Sequence, residues 1–523
     1  MLRSMWLALI LATSLVPACR DAGGRPPNLV VFLVDDMGWM DSGVYGSRYY
    51  ETPNIDALAA RGMRFSDAYS AHPLCSPTRA SIISGQHPAR LRFTHASGHV
   101  PPWPPGGMPP YREPGDPGNR TIHPRSRRHL SPEVVTYAEV LKEAGYVTAH
   151  LGKWHLGVDP AHWPDRQGFD VTFHGAPDNG PPSYFSPYRF RAGNVLDGPR
   201  GEYITDRLTD EAVAFIEAHR DRPFLLNLWH YGVHGPWGHK PEITRRFAEK
   251  TDPRGLQSNP IMASMLWSID ESLGRVVEAL DRTGQTGHTI IVFASDNGGN
   301  VVSRTARDVA KREIGRDHPA YRYVADYRKW AGRTAPTNNA PLRGGKGDLY
   351  EGGVRVPLIV VWPGVVRAGA LSDRPVSSVD FYPTFLEMAG VDPPSGWTLD
   401  GRSLMPILDE TGADAFAGRP IFDYFPHAGR LGRPPSVAVR RGRWKWIQRY
   451  EVRPGYPDAE ELYDLESDPG ETQNRAAEHP EVREELAALV QDFLSDTDAL
   501  VPKPNPDYVA DRSPQSAGAP RPN

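Results

Sequence analysis

The stretch with most chemistry to offer is Cys75-Ser76-Pro77-Thr78-Arg79-Ala80-Ser81-Ile82-Ile83-Ser84-Gly85. The chain has two cysteines, and the other, Cys19, lies in an apolar leader. A lone cysteine is by default a small buried hydrophobe. Here Ser76 and Pro77 read as a helix N-cap and first helical residue, with Ala80 to Ser84 continuing the helix. Cys75 is then expected just before a helix N-terminus, where free N–H groups and the macrodipole favour an anion. Arg79, about one turn on, adds a permanent positive charge. A thiol so placed should be acidic and reactive.

Oxygen ligands are concentrated elsewhere. The apolar run Leu29 to Val34 ends in Asp35-Asp36. Two adjacent carboxylates at the end of a buried strand are costly without a compensating cation. One of them could cap the next element, but for both a hard cation explains more. Asp296-Asn297-Gly298 follows the apolar run Thr289 to Phe293. Alone such a triplet more often marks a turn; joined to Asp35-Asp36 it makes a second contribution to one oxygen-rich site. Lys153 and His155 share a loop flanked by Gly152 and Gly157, which let the backbone turn sharply. His234 lies in Gly232-Val233-His234-Gly235-Pro236-Trp237, and Lys346 in Leu342-Arg343-Gly344-Gly345-Lys346-Gly347. The bland alternative for each of these side chains is a solvated or structural role.

These blocks need a frame. Thr52-Pro53 opens a helix closed by Gly62, with Ile55, Leu58 and Ala59 at core spacing. Helices are expected at Tyr137 to Ala144, Leu208 to His219, Met262 to Leu280 and Asp380 to Met388. Strands are expected at Leu29 to Val34, Val147 to Leu151, Phe224 to Trp229, Thr289 to Phe293 and within Val354 to Trp362. Alternating strands and helices imply an α/β fold with a large, mostly parallel sheet sandwiched by helices. The chemistry then falls after the C-terminal ends of strands, where open α/β sheets place their sites. Beyond about Asp400 the texture changes to short strand-like runs, Val437 to Arg440, Trp444 to Tyr450 and Glu461 to Leu465, followed by an apolar-periodic helix, Pro480 to Leu494. A smaller C-terminal antiparallel sheet with one helix fits this. The expected organisation is a catalytic domain over residues 28–400, a small α+β subdomain over 401–501 and a Pro-rich, disordered tail over 502–523.

The Cys75 run resembles the signature of the sulfatase family, Cys-x-Pro-x-Arg followed by a short apolar stretch, Ser and Gly. The resemblance covers nearly the whole chain from Asn28 to about Asn474, and Gly152-Lys153-Trp154-His155 matches a second family block. It implies an alkaline-phosphatase-like fold and hydrolysis of sulfate esters. It implies that a separate maturation enzyme oxidises Cys75 to formylglycine, whose hydrate is the nucleophile. It also implies one calcium ion at Asp35, Asp36, Asp296, Asn297 and the modified Cys75, holding a sulfate oxygen. A protein cage rich in carboxylate and amide oxygens suits calcium better than magnesium. By the same resemblance Arg79 and Lys153 stabilise the hydrate and the sulfate, His155 is the base that releases sulfate, and His234 and Lys346 serve the ester oxygen and leaving group. A phosphatase or phosphonate monoester hydrolase on the same fold is the alternative enzyme. A non-catalytic lipoprotein that binds sulfated glycans is the alternative outside enzymes, and the intact set of matched residues argues against it.

At 523 residues the chain exceeds what one core usually holds. Its net charge of -4 argues against a general nucleic-acid binder. Arg3 precedes the apolar run Met5 to Val16, too short to span a membrane, which reads as a signal peptide over residues 1–18. Leu15-Val16-Pro17-Ala18-Cys19 resembles a bacterial lipoprotein processing site with Cys19 acylated, so export to the periplasm or a lipid anchor at the cell surface is expected. With Cys19 terminal or lipidated and Cys75 functional, no intrachain disulfide remains. Between Val301 and Arg343 ten Lys/Arg face four Asp/Glu, interleaved with Tyr321, Tyr323, Tyr327 and Trp330. This long insert is anchored at both ends by candidate site blocks. It and the segment Arg112 to Arg128 are expected to form the rim for a sulfated carbohydrate, with the solvated basic loop as the alternative.

Overall fold

The computed structural model describes residues 24–509 except 105–106, 174, 176, 191–195, 303–320, 430–432 and 454. The leader with Cys19, the centre of the basic insert and the last residues of the tail lie outside the described residues.

The frame is a nine-stranded sheet. Its members are β1 (Asn28–Val34), β2 (Met63–Tyr69), then, after a short outlying strand β3 (Thr121–Ile122), β4 (Val147–Gly152), β5 (Val171–Phe173), β6 (Phe224–Trp229), β7 (Thr289–Ser295), β8 (Arg355–Val361), β9 (Ala370–Ser372) and β10 (Val376–Ser377). The order is β10-β2-β8-β7-β1-β6-β4-β5, with β9 also on β2. The β7-β1-β6-β4-β5 stretch is wholly parallel. β8 runs antiparallel to both β2 and β7. The central strands are buried at every position, as their unbroken apolar runs require.

Two helical layers cover the sheet. On one face Val30, Phe32 and Phe293 pack with the helices Ile204–Ala218 and Pro260–Arg282. On the other, Leu29, Val31 and Val292 pack with the helices Cys75–Ser84, Tyr137–Glu143 and Phe381–Ala389. Leu404 to Leu408 and Phe416 join this second face. A separate antiparallel sheet follows, β11 (Ile421–Phe425), β12 (Ser436–Arg441), β13 (Trp444–Arg449) and β14 (Glu460–Asp464). Val437, Val439 and Trp446 pack there against Leu486, Val490 and Phe493 of the Pro480–Asp496 helix. The fold is the mixed, mostly parallel α/β sandwich with a smaller antiparallel sheet that the sequence predicts.

Three expectations change. Residues 503–509, assigned by composition to a disordered tail, are ordered: β15 (Lys503–Pro504) pairs with β3, and the Asn505 amide donates to the Asp116 and Asn119 carbonyls. The described part of the basic insert carries a helix, Tyr321–Ala331, rather than a loop throughout. Its Tyr327 is 1% exposed and belongs to the main core, with its hydroxyl donating to the Thr334 carbonyl and accepting from Asn259, while the Tyr323 hydroxyl donates to the Pro182 carbonyl. Tyr327 is therefore no stacking face for a sugar, whereas Arg322, Arg328 and Lys329 point outward. Third, the Cys75 helix begins at Cys75 itself, with Leu74 as N-cap.

Candidate active site

Four neighbouring parallel strands deliver the site. β7 ends before Asp296 and Asn297, β1 before Asp35 and Asp36, β6 leads to His234, and β4 to Lys153 and His155. Lys346 arrives differently. It precedes β8, and because β8 is antiparallel its N-terminal end lies at the edge where its neighbours' C-terminal ends lie. The helix after β2 supplies Cys75 and Arg79, and all ten of its residues are buried.

The charged groups pair tightly. The Lys153 ammonium lies 2.5 Å from Asp35 Oδ2. Arg79 donates through Nε to Asp296 Oδ2 at 2.8 Å, places its Nη2 2.8 Å from the same oxygen, and donates through Nη1 to the Lys153 carbonyl at 2.8 Å. The Lys346 ammonium is 2.6 Å from Asp36 Oδ1 and 3.4 Å from Cys75 Sγ. Asn297 donates its amide to Asp36 Oδ1 at 2.8 Å, and His234 Nε2 is 3.9 Å from Asp36 Oδ2. Asp35, Asp296, Arg79, Lys153 and His155 are all fully buried. The structure thus brings together every candidate residue taken from the sequence.

The electrostatics follow from that burial. Loss of water, reinforced by Asp296 and Asp36, pushes the Asp35 carboxyl up to about 8 even beside Lys153. Burial opposes ionisation of Asp36 too, but Lys346 and His234 outweigh it and hold that carboxyl well below the usual range. Burial, then Lys153, His99 and Arg79, keep His155 neutral by holding its pKa far below the ordinary histidine value. Burial and Lys346 do the same to His234. Cys75 departs from the expectation of an acidic thiol. Burial pushes its pKa up, and Lys153 and Lys346 do not recover the loss. Ser76 is not the N-cap either; its hydroxyl donates to the His155 carbonyl at 2.9 Å.

Asp35 Oδ1, Asp36 Oδ2 and Asn297 Oδ1 are buried without a hydrogen-bond partner among the described residues. Unpartnered oxygens of this kind are expensive in a protein interior. One ligand atom from each of Asp35, Asp296 and Cys75 lies within 4.8 Å of the others. A set of carboxylate and amide oxygens from two strand ends fits a hard divalent cation.

Two residues at the site carry no signal in the sequence. His99 places its Nδ1 2.9 Å from His155 Nε2, and Gly98 before it faces the His155 carbonyl so closely that a Cβ would stand 1.7 Å from the oxygen. No spacing rule links a Gly-His pair in a loop to a histidine beyond the next helix and strand.

A family model for sulfatases matches residues 27–391, and one for the C-terminal part of N-sulphoglucosamine sulphohydrolase matches residues 345–497. N-acetylgalactosamine-6-sulfatase of Mus musculus is 31% identical over 469 residues, which span 85% of this chain and 77% of that one. Steryl-sulfatase of Mus musculus is 30% identical over 478 residues, 76% of this chain and 67% of that one. Among solved structures, Ps i-CgsB in complex with k-i-k-neocarrahexaose is similar with a TM-score of 0.68 and 27% identity, covering 93% of this chain and 95% of that chain. The family match begins one residue before β1 and runs through the Phe381–Ala389 helix, so it includes each residue assembled above, and the chain belongs to the sulfatase family of sulfuric ester hydrolases.

Proposed function

We propose that this protein is an exported sulfatase that removes sulfate from a sulfated carbohydrate, using formylglycine at position 75. The observation that carries this reading is the position of Cys75 Sγ, 3.4 Å from the Lys346 ammonium and beside the ligand atoms of Asp35 and Asp296. A buried thiol held protonated is a poor nucleophile, whereas an aldehyde hydrate at that position has two hydroxyls and needs no thiolate. A separate maturation enzyme supplies the oxidation.

The residues then have distinct tasks. One hydroxyl of the residue 75 hydrate attacks sulfur, the S–O bond to the sugar breaks, and the alcohol leaves with a proton delivered at the ester oxygen by the Lys346 ammonium, while neutral His234 contacts that oxygen. His155 takes the proton of the second hydroxyl, the C=O bond reforms, and sulfate departs. Arg79, Lys153 and Lys346 are fixed cations around the developing negative charge, so little reorganisation is needed at the moment of reaction. Asp35, Asp36, Asp296, Asn297 and residue 75 would hold calcium, which when bound neutralises charge on a sulfate oxygen.

The carbohydrate class is supported by the relatives, one named for N-acetylgalactosamine 6-sulfate and one solved with a neocarrahexaose. It is also supported by the outward cations Arg322, Arg328 and Lys329, and by Arg125 and Arg128, whose guanidinium carbons lie 4.7 and 3.6 Å from the Trp103 ring centroid. Export is supported by the apolar run Met5 to Val16, with Cys19 as the site of a possible lipid.

The test pairs mass spectrometry of the residue 75 peptide with parallel assays on sulfate and phosphate esters. An aldehyde at position 75, release of sulfate well above phosphate, and loss of turnover in a folded Cys75→Ala protein are expected. A thiol in the fully active protein would overturn the nucleophile, and preferential phosphate release would favour the phosphatase. Neutralising Arg322, Arg328 and Lys329 together should raise KM for a sulfated oligosaccharide while sparing a small aryl sulfate.

A further inference from the structure

We propose that His99 is the positioning residue of His155, accepting a hydrogen bond from His155 Nε2 so that Nδ1 is the nitrogen left to take a proton. The inference rests on the reading of His155 as the base, and carries it to a residue that no family block marks.

The geometry is specific. His99 Nδ1 lies 2.9 Å from His155 Nε2, with ring centroids 5.1 Å apart and the planes inclined by 33°. His155 Nδ1 is buried and has no hydrogen-bond partner among the described residues. The two imidazoles are held in place by the backbone beneath them. His155 adopts φ +62°, a left-handed conformation that is unfavourable for a non-glycine residue and persists only where surroundings enforce it. The enforcing contacts are present: Ser76 Oγ donates to the His155 carbonyl at 2.9 Å, and Gly98 N donates to Ser76 Oγ at 3.3 Å. Gly98 lies against the same carbonyl with no room for a Cβ, which brings the next residue, His99, alongside His155.

The chemistry follows from proton counting. Two neutral imidazoles share one hydrogen bond only if one gives an N–H and the other a lone pair. If His155 gives Nε2–H to His99 Nδ1, its own Nδ1 carries the lone pair. In the release step the second hydroxyl, on the residue 75 carbon that now carries the sulfate, gives its proton to that lone pair. The C–OH becomes C=O, and the C–O bond from that carbon to the sulfate oxygen breaks, so that sulfate leaves with the oxygen that attacked it. His155 is then an imidazolium amid the cationic Lys153 and Arg79, with His234 also facing it. The bond Nε2–H···Nδ1 becomes charge-assisted at that moment, roughly twice as strong as its neutral form. A base oriented and stabilised by a third group is the general logic of triads. Remove the acceptor, and neutral His155 divides between tautomers while its imidazolium buries an unsatisfied N–H.

The test uses the matured, calcium-loaded full chain with 4-nitrophenyl sulfate, following nitrophenolate and sulfate separately. His99→Leu should lower kcat on the order of ten- to a hundredfold, a fraction of what general base catalysis contributes, without raising KM. Nitrophenolate should appear as a burst followed by slow turnover, and the residue 75 peptide should accumulate in its sulfated form. His99→Asn, whose Oδ1 replaces Nδ1 as acceptor, should restore most of kcat. His99→Gln, whose acceptor is displaced by a methylene, should stay slow, and it keeps the test decisive if leucine is not tolerated. Wild-type turnover in His99→Leu, or a loss confined to KM, or an asparagine variant no better than glutamine would overturn the assignment. His155→Ala separates the two ideas. If it is slow while His99→Leu is fast, the positioning role alone falls; if it turns over normally, the base reading falls and takes this inference with it.

Discussion

Lys346 and Cys75 stand 271 residues apart in the chain, yet the Lys346 ammonium lies 3.4 Å from the Cys75 sulfur. The reversal of one strand makes this possible. β8 runs against β7 and β2, so the glycine-rich turn before it reaches the edge where the parallel strands end. Gly345, within this turn, has the Gly299 carbonyl so near that a Cβ would stand 2.5 Å from its oxygen. The lysine therefore enters the site on a backbone packed directly against the loop after β7.

Arg79 is expected to tolerate no substitute. Its planar fork meets Asp296 through two nitrogens and the Lys153 carbonyl through a third. Arg79→Ala leaves Asp296 buried beside Asp35 without its partner, a loss of about 3–5 kcal/mol. Arg79→Lys keeps the charge but not the fork. Both should lower Tm and abolish sulfate release; a lysine variant with wild-type Tm and kcat would show the fork to be dispensable.

Calcium is expected to stabilise as well as activate. Asp35, Asp36 and Asn297 each bury an unpartnered oxygen that a cation would satisfy. At a hundred times its Kd a ligand of the folded state adds about 2.7 kcal/mol. Calorimetric scans should show Tm rising with calcium and falling with chelator, and the dependence should vanish in Asp296→Asn. A Tm indifferent to calcium in the unaltered protein contradicts the metal site.

Gly98→Ala should act on the site without touching a reactive group. Its Cβ would stand 1.7 Å from the His155 carbonyl oxygen, so one backbone must move. Overpacking of this kind costs about 1–3 kcal/mol. Activity should fall further than that stability loss alone explains, because His155 is displaced. Retained kcat with unchanged Tm would show that the loop yields freely.

Asp423 gives a pH test away from the site. Burial, with Lys445 opposing it and Glu351 adding to it, pushes its carboxyl from 3.8 up to about 7, and its Oδ1 has no hydrogen-bond partner among the described residues. Its folded-state pKa is raised, so ionisation is disfavoured by folding, and stability is lost as pH climbs from about 4 to about 7. Asp423→Asn does not titrate. Thermal melts should show the variant gaining on the unaltered protein across that window and holding its gain above it. A difference independent of pH would refute the shift.

Much of the site was legible from the chain because the relevant physics is local. Unbroken apolar runs such as Leu29 to Val34 must be buried strands, and paired carboxylates at such an end must find a cation, which marks Asp35 and Asp36; that Asp296 and Asn297 share their ion is what the family resemblance implies. Gly152 and Gly157 mark the Lys153–His155 loop for the same local reason, since they take φ +105° and φ +144° there.

What the chain could not show depends on partners remote in sequence. β2, Met-Arg-Phe-Ser-Asp-Ala-Tyr, lacks a clean strand pattern and exists because β8, β9 and β10 pair with it. The tail strand β15 likewise exists only against β3. Tyr327 faces inward because Trp237 and Asn259 await it, not because of its neighbours in the insert. The thiol of Cys75 shows the limit most plainly. A helix start and an arginine one turn away predict an anion, but desolvation is a property of the finished interior, and at 1% exposure it outweighs both. His99 meets His155 for the same kind of reason: a hydrogen bond across a fold is decided by which backbones can approach, and here a missing Cβ at Gly98 decided it.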